Sequence, residues 1–243
     1  MECELPNPEL IWARTIAVSL TSLNIADVSD VQGALRELDE YVRVNDGRLA
    51  EEDGSGNWYV LVRLTDERAL LFGGDESTDL YDTDYDPWSA APGWVRGIDR
   101  TVSHPRLSDP VITFVRWWDG QQWDRTPLDR TIVGDRADDS DADDGLFMAL
   151  QSAVDAEKFA SELETGALCS EWIGEDLDTG ELVPNVVDPA DVIALGDAAW
   201  TGIVTREHLE FLPPQFAGAI AEYLWQTGVL AGAPRVVVPL STS

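Results

Sequence analysis

Two apolar runs separated by four residues constrain this chain more than any other feature: Trp58-Tyr59-Val60-Leu61-Val62-Arg63-Leu64, a break at Thr65–Arg68, and Ala69-Leu70-Leu71-Phe72-Gly73-Gly74. Aromatic and β-branched residues on alternating positions around a short polar turn predict an antiparallel pair of strands. A second pair is predicted further on. There Val111–Trp118 is β-branched and aromatic, Asp119-Gly120 supplies the positive-φ positions of a two-residue turn, and Gln121–Thr126 runs back. Strands joined in this way must bury a face, so the fold class expected is α+β, an antiparallel sheet of four or five strands carrying a helix on one side.

That helix is read between Ser29 and Val44. Ser29-Asp30-Val31-Gln32 has capping-box spacing, and Val31, Leu35, Leu38 and Val42 repeat on one helical face. Asn45-Asp46-Gly47 is expected to stop it, and Glu51–Asn57, polar and glycine-containing, to form a surface connection. Nearer the N-terminus, Leu10, Trp12, Ile16, Val18 and Leu20 sit on alternate positions and predict a strand, although Ala13 and Ala17 would tolerate a helix.

The stretch Asp135–Asp144 contains six aspartates and one arginine with almost nothing apolar. Such a composition repels itself and stays solvated, which marks a boundary. The expected organisation is an α+β sheet domain at 1–134, an acidic linker at 135–145, and a smaller, mostly helical or mixed part at 146–243 that is either separate or continuous with the first. In that last part Asp144 can cap a helix in which Leu146, Phe147, Leu150, Val154 and Leu163 mark the buried side and Gly166 the stop. Leu168–Val183 reads as a hairpin around Asp178-Thr179-Gly180. Asp188-Pro189 and Pro214 each open a helix, the second ending at Gly228, and Arg235–Leu240 reads as a final strand.

Composition now limits function. Among 243 residues, 46 are acidic and 16 basic, a formal charge of −30, so binding to a nucleic-acid backbone or an anionic membrane is electrostatically unfavourable. The acidity fits a basic protein partner, imitation of a nucleic-acid backbone, or adaptation to a salt-rich cytoplasm. Two cysteines, Cys3 and Cys169, suit a reducing compartment, and acids at Glu2, Glu4 and Glu9 stand where a secretory signal needs positive charge. The expected location is therefore the cytoplasm, and no run of eighteen apolar residues predicts a membrane span.

Acid is most concentrated just after the first hairpin. No Lys or Arg occurs between Arg68 and Arg96, whereas Asp75, Glu76, Asp79, Asp82, Asp84 and Asp86 fall within twelve residues, interleaved with Tyr81, Tyr85 and Trp88. Aromatic side chains supply contact area with few rotamers to freeze, and carboxylates around them steer a cationic partner inward. These nine residues form the candidate binding surface. The competing expectation is that the aromatics fold back onto the sheet and leave a solvated loop.

Catalytic and cofactor signatures are missing. The chain lacks Gly-x-Ser-x-Gly, Gly-x-Gly-x-x-Gly, a phosphate-binding loop with Lys, and His-Glu-x-x-His. It has two histidines, His104 and His208, and a Cys169–His208 pairing carries no surrounding signature. Asp82, Asp84 and Asp86 have one-three-five calcium-loop spacing, but Pro87 and Gly93 occupy the positions that need Gly and Glu. Asp139, Asp141 and Asp143 fail in the same way. No cofactor, no metal site and no enzymatic activity are expected.

The succession Ala69–Gly73, the Asp/Tyr run, Ala91-Pro92-Gly93-Trp94-Val95, and Phe114–Gly120 with Trp123 resembles uncharacterised acidic proteins of actinobacteria, some of which resemble immunity proteins of polymorphic toxin systems. The similarity covers about the first half of the chain and rests on aromatic spacing. Leu38–Asp46 also resembles the first helix of the SUKH immunity superfamily, without the Leu-Pro that usually precedes it. The resemblance implies a small cytoplasmic inhibitor that neutralises a basic, often nucleic-acid-cleaving, protein. A DNA mimic that titrates a DNA-binding protein, and a salt-adapted enzyme, are the other expectations.

Overall fold

A computed structural model describes residues 5–21, 23, 31–38, 42–78, 80, 83–101, 110–128, 144–169, 172–175, 182–184 and 187–240. The expectations for Ser29–Asp30, His104, Asp135–Asp143 and Asp178–Gly180 lie outside the described residues. The chain forms two compact units, one of Met1–Pro8, Arg43–Val154 and Val236–Ser243, the other of Glu9–Val42 and Asp155–Arg235. Sequence order and spatial grouping therefore differ. The helix after Asp144 groups with the sheet, and the N-terminal helix with the later helices.

The first unit is an antiparallel sheet that, among the described residues, has six strands in sequential order: β1 (Val42–Asn45), β2 (Arg48–Glu52), β3 (Asn57–Arg63), β4 (Ala69–Asp75), β5 (Phe114–Trp118) and β6 (Trp123–Arg125). The expected α+β class is what the chain adopts. Register fixes which side chains share a face, because successive residues point to opposite sides. Val60 lies opposite Phe72 and Phe72 opposite Val115, while Val62 lies opposite Leu70 and Leu70 opposite Trp117. That face is buried under Trp88, Ala91, Val95 and Ile98, the last residues contributed by the short helix α3 (Gly93–Arg96) and its flanks. On the other face Leu61, Leu71, Arg116 and Arg125 form a row across four strands.

Helix α4 (Leu146–Val154) lies against β3 and β4 and buries Ala149, Leu150 and Ala153. Gly145 just before it has φ +85°, and a Cβ there would sit 2.4 Å from the Asp75 Cβ, so only glycine permits this approach of helix start to strand end. The helix that packs on the sheet is thus α4, whereas the segment expected to do so was Ser29–Val44. The segment expected to be helical up to Val44 instead stops at α2 (Val31–Leu38), and Val42–Asn45 is strand β1. Asp46 and Gly47, with φ of 46° and 77°, make the tight turn to β2. Asn-Asp-Gly serves equally as a helix stop and as a primed hairpin turn, and pairing with β2 decided between them. The expected surface connection at Glu51–Asn57 shrinks to four residues because β2 runs to Glu52 and β3 begins at Asn57.

Two other local expectations shift. Trp118 pairs with Trp123, so the second hairpin closes through four residues, with the Asp119 carboxylate accepting the Gln121 and Gln122 N–H groups at 2.8 and 2.9 Å. Among the described residues Arg235–Leu240 contributes one parallel bridge, Val238 to Leu64. Pro234 precedes that stretch and Pro239 lies within it, removing two ladder donors.

In the second unit the predicted N-terminal strand is helix α1 (Pro8–Thr21). Ile11, Trp12, Ala13, Ile16, Ala17 and Leu20 are all buried, and so are Arg14, Thr15 and Ser19. A helix covered on nearly every side shows no single apolar stripe, and the alternation was an accident of that uniform burial. Its hydroxyls bond back within the helix, Thr15 to the Ile11 carbonyl at 2.8 Å and Ser19 to that of Thr15 at 2.7 Å. The single helix expected from Asp144 to Gly166 is broken at Asp155, whose carboxylate caps α5 (Ala156–Thr165) through the Glu157 and Lys158 N–H groups. Phe147, expected to be buried, is 41% exposed.

Three further element expectations have counterparts among the described residues. Strands β7 (Trp172–Glu175) and β8 (Leu182–Pro184) pair antiparallel. Asp188 caps α6 (Pro189–Trp200), and Pro214 opens α7 (Pro214–Gln226), followed by Gly228 at φ +74°. The Trp12 indole donates to the Thr227 carbonyl at 3.0 Å, and the Arg14 guanidinium lies 3.4 Å over the Trp200 ring while donating to the Trp200 carbonyl. No described helix is long and apolar enough to cross a membrane.

Candidate partner-binding surface

The acidic stretch leaves the sheet at the end of β4. Asp75 is 2% exposed, and its Oδ1 accepts the Ser77 N–H and hydroxyl, both at 2.7 Å, turning the chain out of the strand. Its Oδ2 is buried without a hydrogen-bond partner. Glu76 is exposed. Asp79, Tyr81 and Asp82 lie outside the described residues.

From Thr83 the chain is held by its own short polar side chains. Thr83 Oγ1 donates to the Leu80 carbonyl at 2.9 Å and accepts the Tyr85 N–H at 3.3 Å. Asp86 Oδ1 accepts the Trp88 N–H at 2.9 Å. Thr126, just beyond β6, donates to the Pro87 carbonyl at 2.6 Å and accepts the Ala90 N–H at 3.2 Å, which ties the segment to the sheet edge. The result is an alternation: Asp84 and Asp86 exposed, Tyr85 half-buried between them.

Trp88 faces the sheet. It is 7% exposed, packs on Phe72 with ring centroids 5.6 Å apart, and is covered by the Arg100 guanidinium at 4.0 Å. Of the two expectations for the aromatics, folding back onto the sheet describes Trp88. Of the nine sequence candidates, Glu76, Asp84 and Asp86 are exposed, Tyr85 is half-buried, and Asp75 and Trp88 are interior.

Sequence reading missed the partners of Tyr85. Its hydroxyl donates to the Thr126 carbonyl at 3.2 Å. Burial first, then the nearby Asp144 charge, raise the phenol above its ordinary value, against the opposing influence of Arg116 and Arg125. Arg116 and Asp144 are themselves buried and joined Nη2 to Oδ2 at 2.5 Å. Asp144 Oδ1 also accepts the Leu146 N–H at 3.2 Å and its carbonyl accepts the Thr113 hydroxyl at 2.6 Å. The stretch that is free of bases in sequence therefore meets Arg96, Arg100, Arg116 and Arg125 in space. The signal available was only the odd Arg in an otherwise apolar strand, Phe114-Val115-Arg116-Trp117.

Elsewhere too, guanidinium groups are occupied within the protein. Arg96 donates to the Ser89 and Ala91 carbonyls, Arg68 lies 5.1 Å over Trp94, and Arg48 donates to the Asp99 carbonyl. Arg14, Arg63 and Arg116 are buried. Acids at Asp53, Asp66, Glu67, Asp99, Asp119 and Asp124 are exposed.

For the Cys169–His208 pairing the chemistry runs the wrong way. Burial, with Glu164 nearby, pushes the Cys169 thiol up, whereas a nucleophile needs it lowered. His208 Nδ1 instead accepts the Thr205 N–H at 3.0 Å and closes a capping box. Among the described residues no three His, Cys, Asp or Glu side chains converge to hold a metal ion. Comparison with family models, curated proteins and solved structures finds no match in any of the three.

Proposed function

We propose that this chain is a non-enzymatic acidic binding protein that neutralises a basic partner protein by occluding its cationic surface, in the manner of an immunity protein or inhibitor. One observation carries the reading. Most described acids of the sheet unit face water, Glu52, Asp75 and Asp144 being buried, while most of its described guanidinium groups are spent on a buried carboxylate, aromatic rings and backbone carbonyls. With a formal charge of −30, a surface of this kind raises the local concentration of a cationic partner and repels acidic ones. Glu76, Asp84 and Asp86 are the contacts nominated.

The test is retention of partners by the tagged protein from its host's lysate after nuclease treatment, followed by affinity measurement against the retained basic protein at several salt concentrations. Glu76→Gln, Asp84→Asn and Asp86→Asn together are expected to weaken binding and flatten its salt dependence. Unchanged affinity removes this surface from the reading. Competition with duplex DNA for the same protein would favour nucleic-acid mimicry instead.

A further inference from the structure

The chain continues past the end of β3 where β2 no longer flanks it. Their register begins with Arg48 opposite Val62, and next to it the Gly47 carbonyl accepts the Arg63 N–H at 2.8 Å. Beyond that point the C-terminal segment Val236–Leu240 takes the place of β2. Val238 donates to the Arg63 carbonyl at 2.8 Å and its own carbonyl accepts the Thr65 N–H at 3.3 Å, around the parallel bridge to Leu64. Val238 and Leu240 pack against the buried cluster that holds Val62, Leu64 and Val95. A Cβ on Gly47 would lie 3.0 Å from the Val237 Cα, so the β1–β2 turn is bare where the segment crosses it. The seat is incompletely filled: a cavity of about 370 Å³, lined by Asp46, Arg48 and Val236–Pro239, lies beside the segment.

We propose that Arg63–Thr65 is a strand-acceptor site for an extended apolar segment of the partner protein flanked by Lys or Arg, and that Val236–Leu240 fills it in cis as a displaceable plug. Ladder bonds of the Val238 kind are open to any extended backbone, and the apolar cluster selects β-branched or leucine side chains at alternate positions. The rim supplies the charge preference. Asp46, Asp66 and Glu67 are exposed beside the seat, while Arg48 donates to the Asp99 carbonyl at 2.9 Å. The cationic flank rests on the reading of a basic partner, whereas the acceptor geometry stands without it. A tethered plug competes at an effective concentration on the order of 1 mM, so a segment in trans displaces it by adding contacts in the cavity and at the rim.

Hydrogen exchange of the full-length protein tests this, with a synthetic peptide of the chain's own Ala233–Leu240 sequence ending in Lys-Lys as the probe, at about 1 mM. Exchange at the protein's Val238 amide is expected to speed up about tenfold as the plug leaves, while the Thr65 amide, re-bonded to the peptide, stays protected and the Leu61 amide of β3 is unchanged. The same peptide methylated on the nitrogen of its Val238 position lacks the donor to Arg63 and should have no effect. Val238→Asp, which drives the plug out of its apolar seat, should bind the peptide about tenfold more tightly than the parent, with Leu61 exchange showing that its sheet is intact. Glutamates in place of the terminal lysines should weaken binding, and an equal effect removes the cationic flank from the proposal. Unchanged Val238 exchange in the parent overturns the acceptor site, and so does a methylated peptide that acts as well as the first. A positive peptide result with no basic protein retained from lysate would sink the proposed function and leave this site standing.

Discussion

The ends of the Asp75–Trp88 stretch and its described middle are made of the same residue types and do opposite things. Asp75 and Trp88 are interior, one turning the chain out of β4 and the other filling the sheet core, whereas Glu76, Asp84 and Asp86 face water. Acid and aromatic content therefore does not mark a surface by itself. What separates the two groups is whether a side chain falls where the sheet offers apolar area or a backbone N–H to bind.

The comparison can be broken at its interior end. Trp88→Ala removes a buried ring packed on Phe72 and covered by Arg100, and should lower stability by about 4 kcal/mol in urea unfolding. A change below about 1 kcal/mol would place Trp88 with the surface group. Arg116→Ala leaves Asp144 as an uncompensated buried charge and should cost about 3 kcal/mol, while Arg116→Met, apolar and of similar length, should cost less if Asp144 is changed to Leu at the same time. Measuring both separates the value of the pair from the penalty of breaking it.

Asp75→Ala sharpens the comparison further. It loses two hydrogen bonds to Ser77 but also removes the unpartnered Oδ2, so the net cost should be about 1 kcal/mol. Tyr85 contributes a pH signature. Its phenol is held above the ordinary value of about 10, so the folded state keeps a proton that the unfolded state gives up. Stability from this group is complete below that value and falls as the pH rises through it toward the folded-state value. Thermal melts between pH 8 and pH 11 should therefore decline less steeply in Tyr85→Phe than in the parent, and parallel curves would contradict the burial of the phenol. The smallest effect belongs to the surface: Asp84→Asn with Glu76→Gln should change stability by less than about 0.5 kcal/mol while altering the salt dependence of partner binding.

Much of the sheet was readable because its cues are local. Trp58–Arg63 and Ala69–Phe72 carry period-two apolar patterning around a short turn, and Phe114–Trp118 ends at Asp119-Gly120; all of these are strands and turns in the structure. Asp188-Pro189 and Pro214 announced their helices in the same way. The failures share a cause. Leu10–Leu20 alternates like a strand but is a helix buried on most sides, and Asn45-Asp46-Gly47 has the chemistry of two different stops. In each case the deciding interaction lies outside the local pattern: the distant Thr227 and Trp200 for α1, and pairing with the following strand β2 for Asn45-Asp46-Gly47.

The sequence by itself determined the class of the fold, the excess of negative charge, and the absence of a familiar catalytic motif, because these follow from composition, periodicity and short-range turn chemistry. Only the tertiary structure decided which acids meet water. It placed Arg116 against Asp144 across 28 positions of chain and brought Thr126 under Pro87 and Ala90, contacts made by strand register and not by any spacing along the sequence. A side chain's charge is written in the sequence, but the solvent and partners that give that charge its effect are set by what the folded chain packs around it.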